Sequence, residues 1–434
     1  MGGHAGDPGD DPGRGREPVT AELKYTRHGP VVYEDAERGV AYAIRAAWME
    51  VGGAPYLASM RMDQARSWEE FRDACGYSHI PGENMVWIDR DGNIGWQAVG
   101  IAPIRRSWSG LVPVPGDGRY EWDGYLPIRE LPHVVNPEAG YFATANNELI
   151  PEGYPHRDAV GWSWSDPYRW ARVNEVLGSG RKLSMADMLR LQTDVLSIPA
   201  RTLVPLLGPL ESDRAATEEA RRRLLDWDHR LEPGSVAAGI YVAWEDRLRA
   251  NVERAVIPLE ARDVIRGLAL SQVIERLRDP AASAARDALL LTSLDEAVAE
   301  LRDRLGPDMD GWRYGQPDYK HVTMRHPMSD AVLPELRARL DVGTAPRGGY
   351  GHTVNSTGGN DNQSSGATFR IVATSEDWDL TMGTNAPGQS GDPDHPHYRN
   401  LFEPWAADRY FPAFYTRARV DSVAESVTVL VPEG

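Results

Sequence analysis

The chain has 434 residues, with 47 Lys and Arg against 64 Asp and Glu, a formal net charge of −17. That balance argues against a nucleic-acid partner, whose binding needs clustered positive charge to release counterions. At 41% hydrophobic and 26% charged residues the composition is that of a folded protein. No window approaches the roughly 18 uncharged apolar residues of a membrane-spanning helix.

Residues 1–18 are Gly, Pro and Asp with almost nothing apolar, so residues 1–20 read as a disordered lead-in without the apolar core of a secretory signal. From Lys24 to about residue 145 the pattern is mostly β. Gly39–Trp48 and Met85–Asp89 are apolar, aromatic and β-branched runs. Asp91-Gly92-Asn93 supplies turn chemistry after the second, and Ile94–Gly100 returns as its hairpin partner. Between them Ser67, with Glu70 three residues on, predicts the capped start of a helix ending at Cys75. That single cysteine rules out an internal disulfide framework and reads as a buried structural thiol. Tyr141–Asn146 reads as a further strand, ending on the pair Asn146-Asn147.

Residues 168–345 change character. Ser184 caps a helix with Asp187 at its third position, and Ala215–Leu231, Val236–Val256 and Ser293–Leu305 keep helical periodicity with charged faces read as solvated. Residues 346–434 return to β, with strands expected at Ala367–Ala373 and Ser426–Pro432. The order β (21–167), helical (168–345), β (346–434) predicts an α+β fold with a helical insertion, residues 20–434 forming one composite domain.

Few chemical motifs stand out. His395-Pro-His397 lacks the spacing usual for zinc on regular elements, Gly348–Gly351 lacks the Lys-Ser/Thr ending of a phosphate loop, and no Gly-x-Ser-x-Gly elbow occurs. Neutral polar residues gather at strand-to-loop positions: Asn146-Asn147, Asn355 and Gln389-Ser390. An Asn amide at a strand end can donate to an oxyanion, although a turn-satisfying role is the commoner one.

Those same residues sit in segments that, in order along residues 25–430, resemble the penicillin acylase family of N-terminal-nucleophile hydrolases. The family includes penicillin G, cephalosporin and acyl-homoserine-lactone acylases. The segments are Thr26-Arg-His-Gly-Pro-Val-Val32, Trp87–Gly95, Val112–Gly118 with Trp122-Asp-Gly124, Ala143-Thr-Ala-Asn-Asn147 with Tyr154-Pro155, and Pro167–Glu175. Leu191-Gln-Thr-Asp194, Leu225–Asp228, Thr353-Val-Asn355 and Pro387–Gly391 with Pro396-His-Tyr398 follow. The resemblance implies an αββα sandwich and hydrolysis of a linear amide through an acyl-enzyme. The nucleophile would be the N-terminal Ser of a self-cleaved β chain, its own α-amino group acting as base. It implies Asn146 as the oxyanion donor, Arg172 as the arginine that orients it, Asp158 as one ligand of a structural Ca²⁺, and Glu83 as part of the acyl pocket. A carboxylate at residue 83 speaks against a phenylacetyl-like acyl group.

One departure is plain: the family's β chain opens with Ser-Asn, and these 434 residues contain no Ser-Asn dipeptide. The nucleophile is therefore expected outside this chain. The expectation is that the chain corresponds to the later part of the β chain only, with an incomplete sandwich, an incomplete Ca²⁺ site and no activity alone. Two accounts of the front half stand side by side, a truncated, frameshifted or mis-started gene and a split enzyme whose separately encoded front half is the partner; relatives of this kind imply a periplasmic or extracellular location. The alternative reading is a non-catalytic binding protein derived from an acylase.

Overall fold

Period-two alternation and the Asp-Gly-Asn turn become a hairpin in the computed structural model, which describes residues 9–11, 19–53, 56–265, 267–279 and 283–432. The strands Glu83–Ile88 and Ile94–Val99 pair antiparallel with Val86 opposite Trp96. Asp89 closes the turn, its Oδ1 accepting from the Asn93 N–H at 2.9 Å, and Gly92 takes a φ of +84° that a Cβ would resist. His133–Val135 adds to the other side of Ile94–Val99, which leaves Glu83–Ile88 as an edge. Alternation points Met85 and Trp87 at a small core around Phe71, Cys75, Leu126 and Leu131. Asn84, Val86 and Ile88 face solvent.

These elements belong to the first of two compact units, residues 1–164 and 165–434. The helix Trp68–Cys75 begins as expected, Ser67 Oγ accepting from the Glu70 N–H at 3.2 Å. Glu70 reaches one residue further back than a standard capping box would, to the Arg66 N–H at 2.7 Å. The helix lies on the sheet where Gly95 leaves room: a Cβ there would come within 2.4 Å of the Trp68 ring. Cys75 is fully buried. The lead-in expected over residues 1–20 lies largely outside the described residues; within it Gly9–Asp11 pairs antiparallel with Val19–Ala21.

The second unit is built on helices. Ser184 and Asp187 form a complete capping box, with Asp187 N–H to Ser184 Oγ at 3.2 Å and Ser184 N–H to Asp187 Oδ2 at 2.8 Å. Ala215–Leu225 stops six residues short of the expected end. The chain turns at Asp226–His229, where the Trp227 indole N–H donates to the Arg230 carbonyl and His229 adopts a φ of +63°. Val236–Val256 and Ser283–Leu305 pack together, the Trp244 indole N–H reaching the Leu290 carbonyl at 3.1 Å. Their shared core holds Leu224, Tyr241, Trp244, Leu248 and Trp312, all essentially inaccessible. Gly239 is required there, since a Cβ would meet the Trp312 carbonyl at 2.2 Å.

The second unit also carries strands, among them the antiparallel set Arg370–Val372, Met382–Thr384 and Phe411–Pro412. The architecture is thus α+β, with described strands in sheets of two or three that join segments near one another in sequence. Two expected strands are not formed. Residues 426–432 form no strand and are exposed, with Val427, Val429 and Leu430 open to solvent; among the described residues their β-branched composition meets no strand to pack on. Tyr141–Asn146 is irregular for the reason given below. Among the described residues no helix is long and apolar enough to cross a membrane.

Candidate active site

Asn146 sits on a bend rather than at a strand end. Its φ of +63° lies in the left-handed region that Asn tolerates better than most residues, and the residue is exposed. The next residue fixes the bend from below: Asn147 is buried, its Oδ1 accepting from the Ala145 N–H at 3.1 Å and its Nδ2 donating to the Glu148 carbonyl at 3.0 Å. Upstream, Phe142 stacks on Trp96 with ring centroids 4.5 Å apart. Trp96 in turn donates to Asn84 Oδ1 at 2.8 Å. This stacking and the Asn147 turn take the place of strand pairing. The buried hydroxyl of Thr144, two residues before Asn146, has no hydrogen-bond partner among the described residues.

Glu83 opens the edge strand opposite Val99 and is half-buried, on the face that carries Met85 and Trp87. Its neighbour Asn84, through Trp96 and Phe142, leads to the Asn146 loop. Asp158 is exposed in the first turn of the short helix Arg157–Val160; its carbonyl accepts from Arg105 at 3.0 Å, and its charge acts on Arg105 and Arg157. Among the described residues no three His, Cys, Asp or Glu side chains converge as a metal site. Calcium takes six to eight oxygens, so the residues present do not fit it; Asp158 offers one carboxylate.

Arg172 belongs to the second unit, on the helix Tyr168–Leu177. Its Nε and Nη2 both donate to Asp194 Oδ2, at 2.9 and 2.6 Å, and Nη1 lies 3.2 Å from Glu175. Burial disfavours the guanidinium charge, but the bonds to Asp194 and Glu175 outweigh it and raise its pKa. Asp194 is the centre of the arrangement. It is almost wholly buried, lies 3.3 Å from Arg230, and accepts the Leu196 N–H at 2.8 Å. Arg172 and Asp194 stand on the wall of a cavity of about 420 Å³ whose other charged residues include Arg181, Arg190 and Arg230. Asp194 ends the Leu-Gln-Thr-Asp segment of the sequence, which gave it no role; the signal was a lone acid at a helix end with two arginines in search of a partner.

Asn355 is not positioned as an oxyanion donor. It is fully buried, and its Oδ1 accepts from both Arg347 and Arg370 at 2.7 Å. Burial pulls Arg347 down to about 10, and its other partners include the Trp405 carbonyl at 2.9 Å, the Ala406 carbonyl at 3.4 Å and Asp408 at 3.2 Å. Asn355 is therefore a structural acceptor for two buried guanidinium groups.

With this geometry in place, comparison with known proteins is informative. The family model described as penicillin amidase matches residues 9–422. The chain belongs to the penicillin amidase family. It is 30% identical to the penicillin acylase 2 proenzyme of a Pseudomonas species over 429 residues, 95% of this chain and 54% of that protein. It is 27% identical to an acyl-homoserine lactone acylase of Pseudomonas fluorescens, over 92% of this chain and 52% of that protein. The chain thus spans about half the length of the curated relatives it matches. A crystallised thermostable penicillin G acylase from Alcaligenes faecalis superposes with a TM-score of 0.66 at 22% identity, over 97% of this chain and 80% of that one. The likeness is one of fold.

Proposed function

We propose that this penicillin amidase family chain is the later part of the β chain of an acylase that hydrolyses linear amides of N-acylated compounds. The observation that carries the reading is the family match over nearly the whole chain, together with an exposed Asn146 held on a side-chain-locked bend. In this account an N-terminal Ser, supplied by sequence outside these 434 residues, attacks the amide carbon while its own α-amine takes the hydroxyl proton. The carbonyl oxygen becomes an oxyanion that accepts from the Asn146 amide. Collapse expels the amine, protonated from that α-amine, and water then releases the acyl group by the same route. Arg172 acts as a positioning residue, itself held by Asp194. Glu83 contributes to the acyl pocket, and its carboxylate favours an acyl group other than phenylacetyl.

In this reading the nucleophile belongs to a segment that carries the family's Ser-Asn, a dipeptide these 434 residues lack. The unpaired edge of Glu83–Ile88, with Val86 and Ile88 exposed, suits the strands such a segment would add. An exported location belongs to the same reading, and no step is assigned to calcium. The test is co-expression of this chain with a family segment that begins at the Ser and its following strands. Amine release is followed over penicillin G, a cephalosporin and acyl-homoserine lactones. Release from at least one is expected; none from any, with the two segments shown to associate, would favour the non-catalytic binding protein instead.

A further inference from the structure

Within residues 165–434, the helix Val236–Val256, the helix Ser283–Leu305 and the loop around residues 350–363 enclose a cavity of about 470 Å³, within the usual size range of small-molecule sites. It uses none of Asn146, Arg172, Glu83 or Asp158, so it stands apart from the acylase reading. One wall group is unusual. Glu245 is 94% buried (6% exposed), yet no Lys, Arg or His nitrogen lies within ion-pair distance of it among the described residues. Two phenols, Tyr241 and Tyr350 (the latter at 2.9 Å), both address its Oε2. Tyr350 is itself braced by the Ser197 hydroxyl at 3.0 Å. Oε1 accepts no hydrogen bond among the described residues.

The other wall carboxylates are answered. Asp361 meets Arg304 at 2.8 Å, Glu300 meets Arg247 at 2.7 Å, and Asp246, at the open rim, faces Lys320 at 4.0 Å. A buried carboxylate without a counter-cation is costly. Burial accordingly pushes the Glu245 carboxyl up to about 7, so at neutral pH it is poised between its two forms. A ligand that brings a positive charge to Oε1 removes that cost. A bare metal ion does not suit the site, because no three metal-ligating side chains converge among the described residues. An anion would face an unanswered carboxylate. The same wall carries Tyr350, Leu270 and Val242, together with Arg249, which is paired to Glu253 at 3.1 Å and acts on Glu245 only at longer range.

We propose that this cavity binds a small organic ammonium ion, whose N–H donates to Glu245 Oε1 while its hydrocarbon body lies against Tyr350, Leu270 and Val242. The test uses the full chain and three probes of similar size: n-butylammonium, n-butanol and butyrate, titrated calorimetrically at pH 8. Saturable binding of butylammonium, at least about tenfold tighter than butanol, is expected. Glu245→Gln, which keeps an oxygen for the two tyrosines, should reduce it to the level of butanol with the far-ultraviolet circular dichroism unchanged. Asp246→Asn, at the rim, should retain binding. In the wild type, saturation-transfer NMR should carry magnetisation from the protein to the butyl chain. Equal affinity for the three probes, undiminished ammonium binding in Glu245→Gln, or no saturation transfer to butylammonium would each overturn the proposal.

Discussion

Replacing Glu245 by Gln should change how the stability of the protein depends on pH. In the unfolded chain this carboxyl has its ordinary value of 4.5; in the fold, burial raises it to about 7, against the lowering effect of the Tyr241 and Tyr350 hydroxyls. Between those values the native state holds a proton that the unfolded state has lost. Stability therefore falls as pH rises from about 4.5 to 7, and is flat on either side as far as this group is concerned. A difference of about 2.5 pH units corresponds to about 3 kcal/mol, complete by about pH 8. Glutamine cannot titrate, so the variant lacks this loss. Asp246, whose neighbouring charge adds to the rise of Glu245 while Arg249 opposes it, is present in both proteins. The assay is urea denaturation of wild type and Glu245→Gln at pH 5, 6, 7 and 8, followed by tryptophan fluorescence. The stability difference between the two should move by about 2 to 3 kcal/mol in favour of the variant from pH 5 to pH 8. A difference constant with pH would refute the reasoning, and so would one moving the other way.

Removing Arg172 leaves the buried Asp194 with Arg230 as its remaining ion-pair cation among the described residues, beside the Leu196 N–H, so Arg172→Ala should destabilise by about 3 kcal/mol, the low end for breaking a buried pair, with Arg172→Lys recovering part of it; a loss under about 0.5 kcal/mol by denaturant titration would contradict the network. Cys75, fully buried and with its thiol pushed up to about 11 by burial, should resist a thiol-specific disulfide reagent in the native chain and react only as the chain unfolds. Stoichiometric labelling under native conditions would be inconsistent with its place in the core. Because no three potential metal ligands converge at Asp158 among the described residues, calcium and chelator should leave the melting temperature of this chain unchanged; a rise with calcium that Asp158→Ala abolishes would show a site these residues do not form alone.

Much of the fold was legible in the sequence where the forces are local. The Glu83–Val99 hairpin followed from alternation and a turn that only a few residue types make, and the Ser184–Asp187 capping box from side chains three positions apart. Segments whose fate depends on distant partners were not legible. Tyr141–Asn146 has strand composition, but Phe142 is taken by Trp96 and the bend by Asn147. Residues 426–432 have the composition of a strand and pair with none among the described residues. The same holds for the sites. Asn146, Arg172, Glu83 and Asp158 came from family resemblance. Asp194 and Glu245, buried acids on cavity walls, were given no role, since an acid at a helix end or on a charged helix face reads as solvated until the fold buries it. Asn355 looked like a donor, and only its two guanidinium partners show it to be an acceptor.

The account of function rests on Asn146. In the complex of this chain with a segment supplying the N-terminal Ser, Asn146→Ala should lower kcat by about 10²–10³ with little change in KM, because the amide acts on the oxyanion and not on the bound amide. Turnover equal to that of the unsubstituted complex would contradict the assignment.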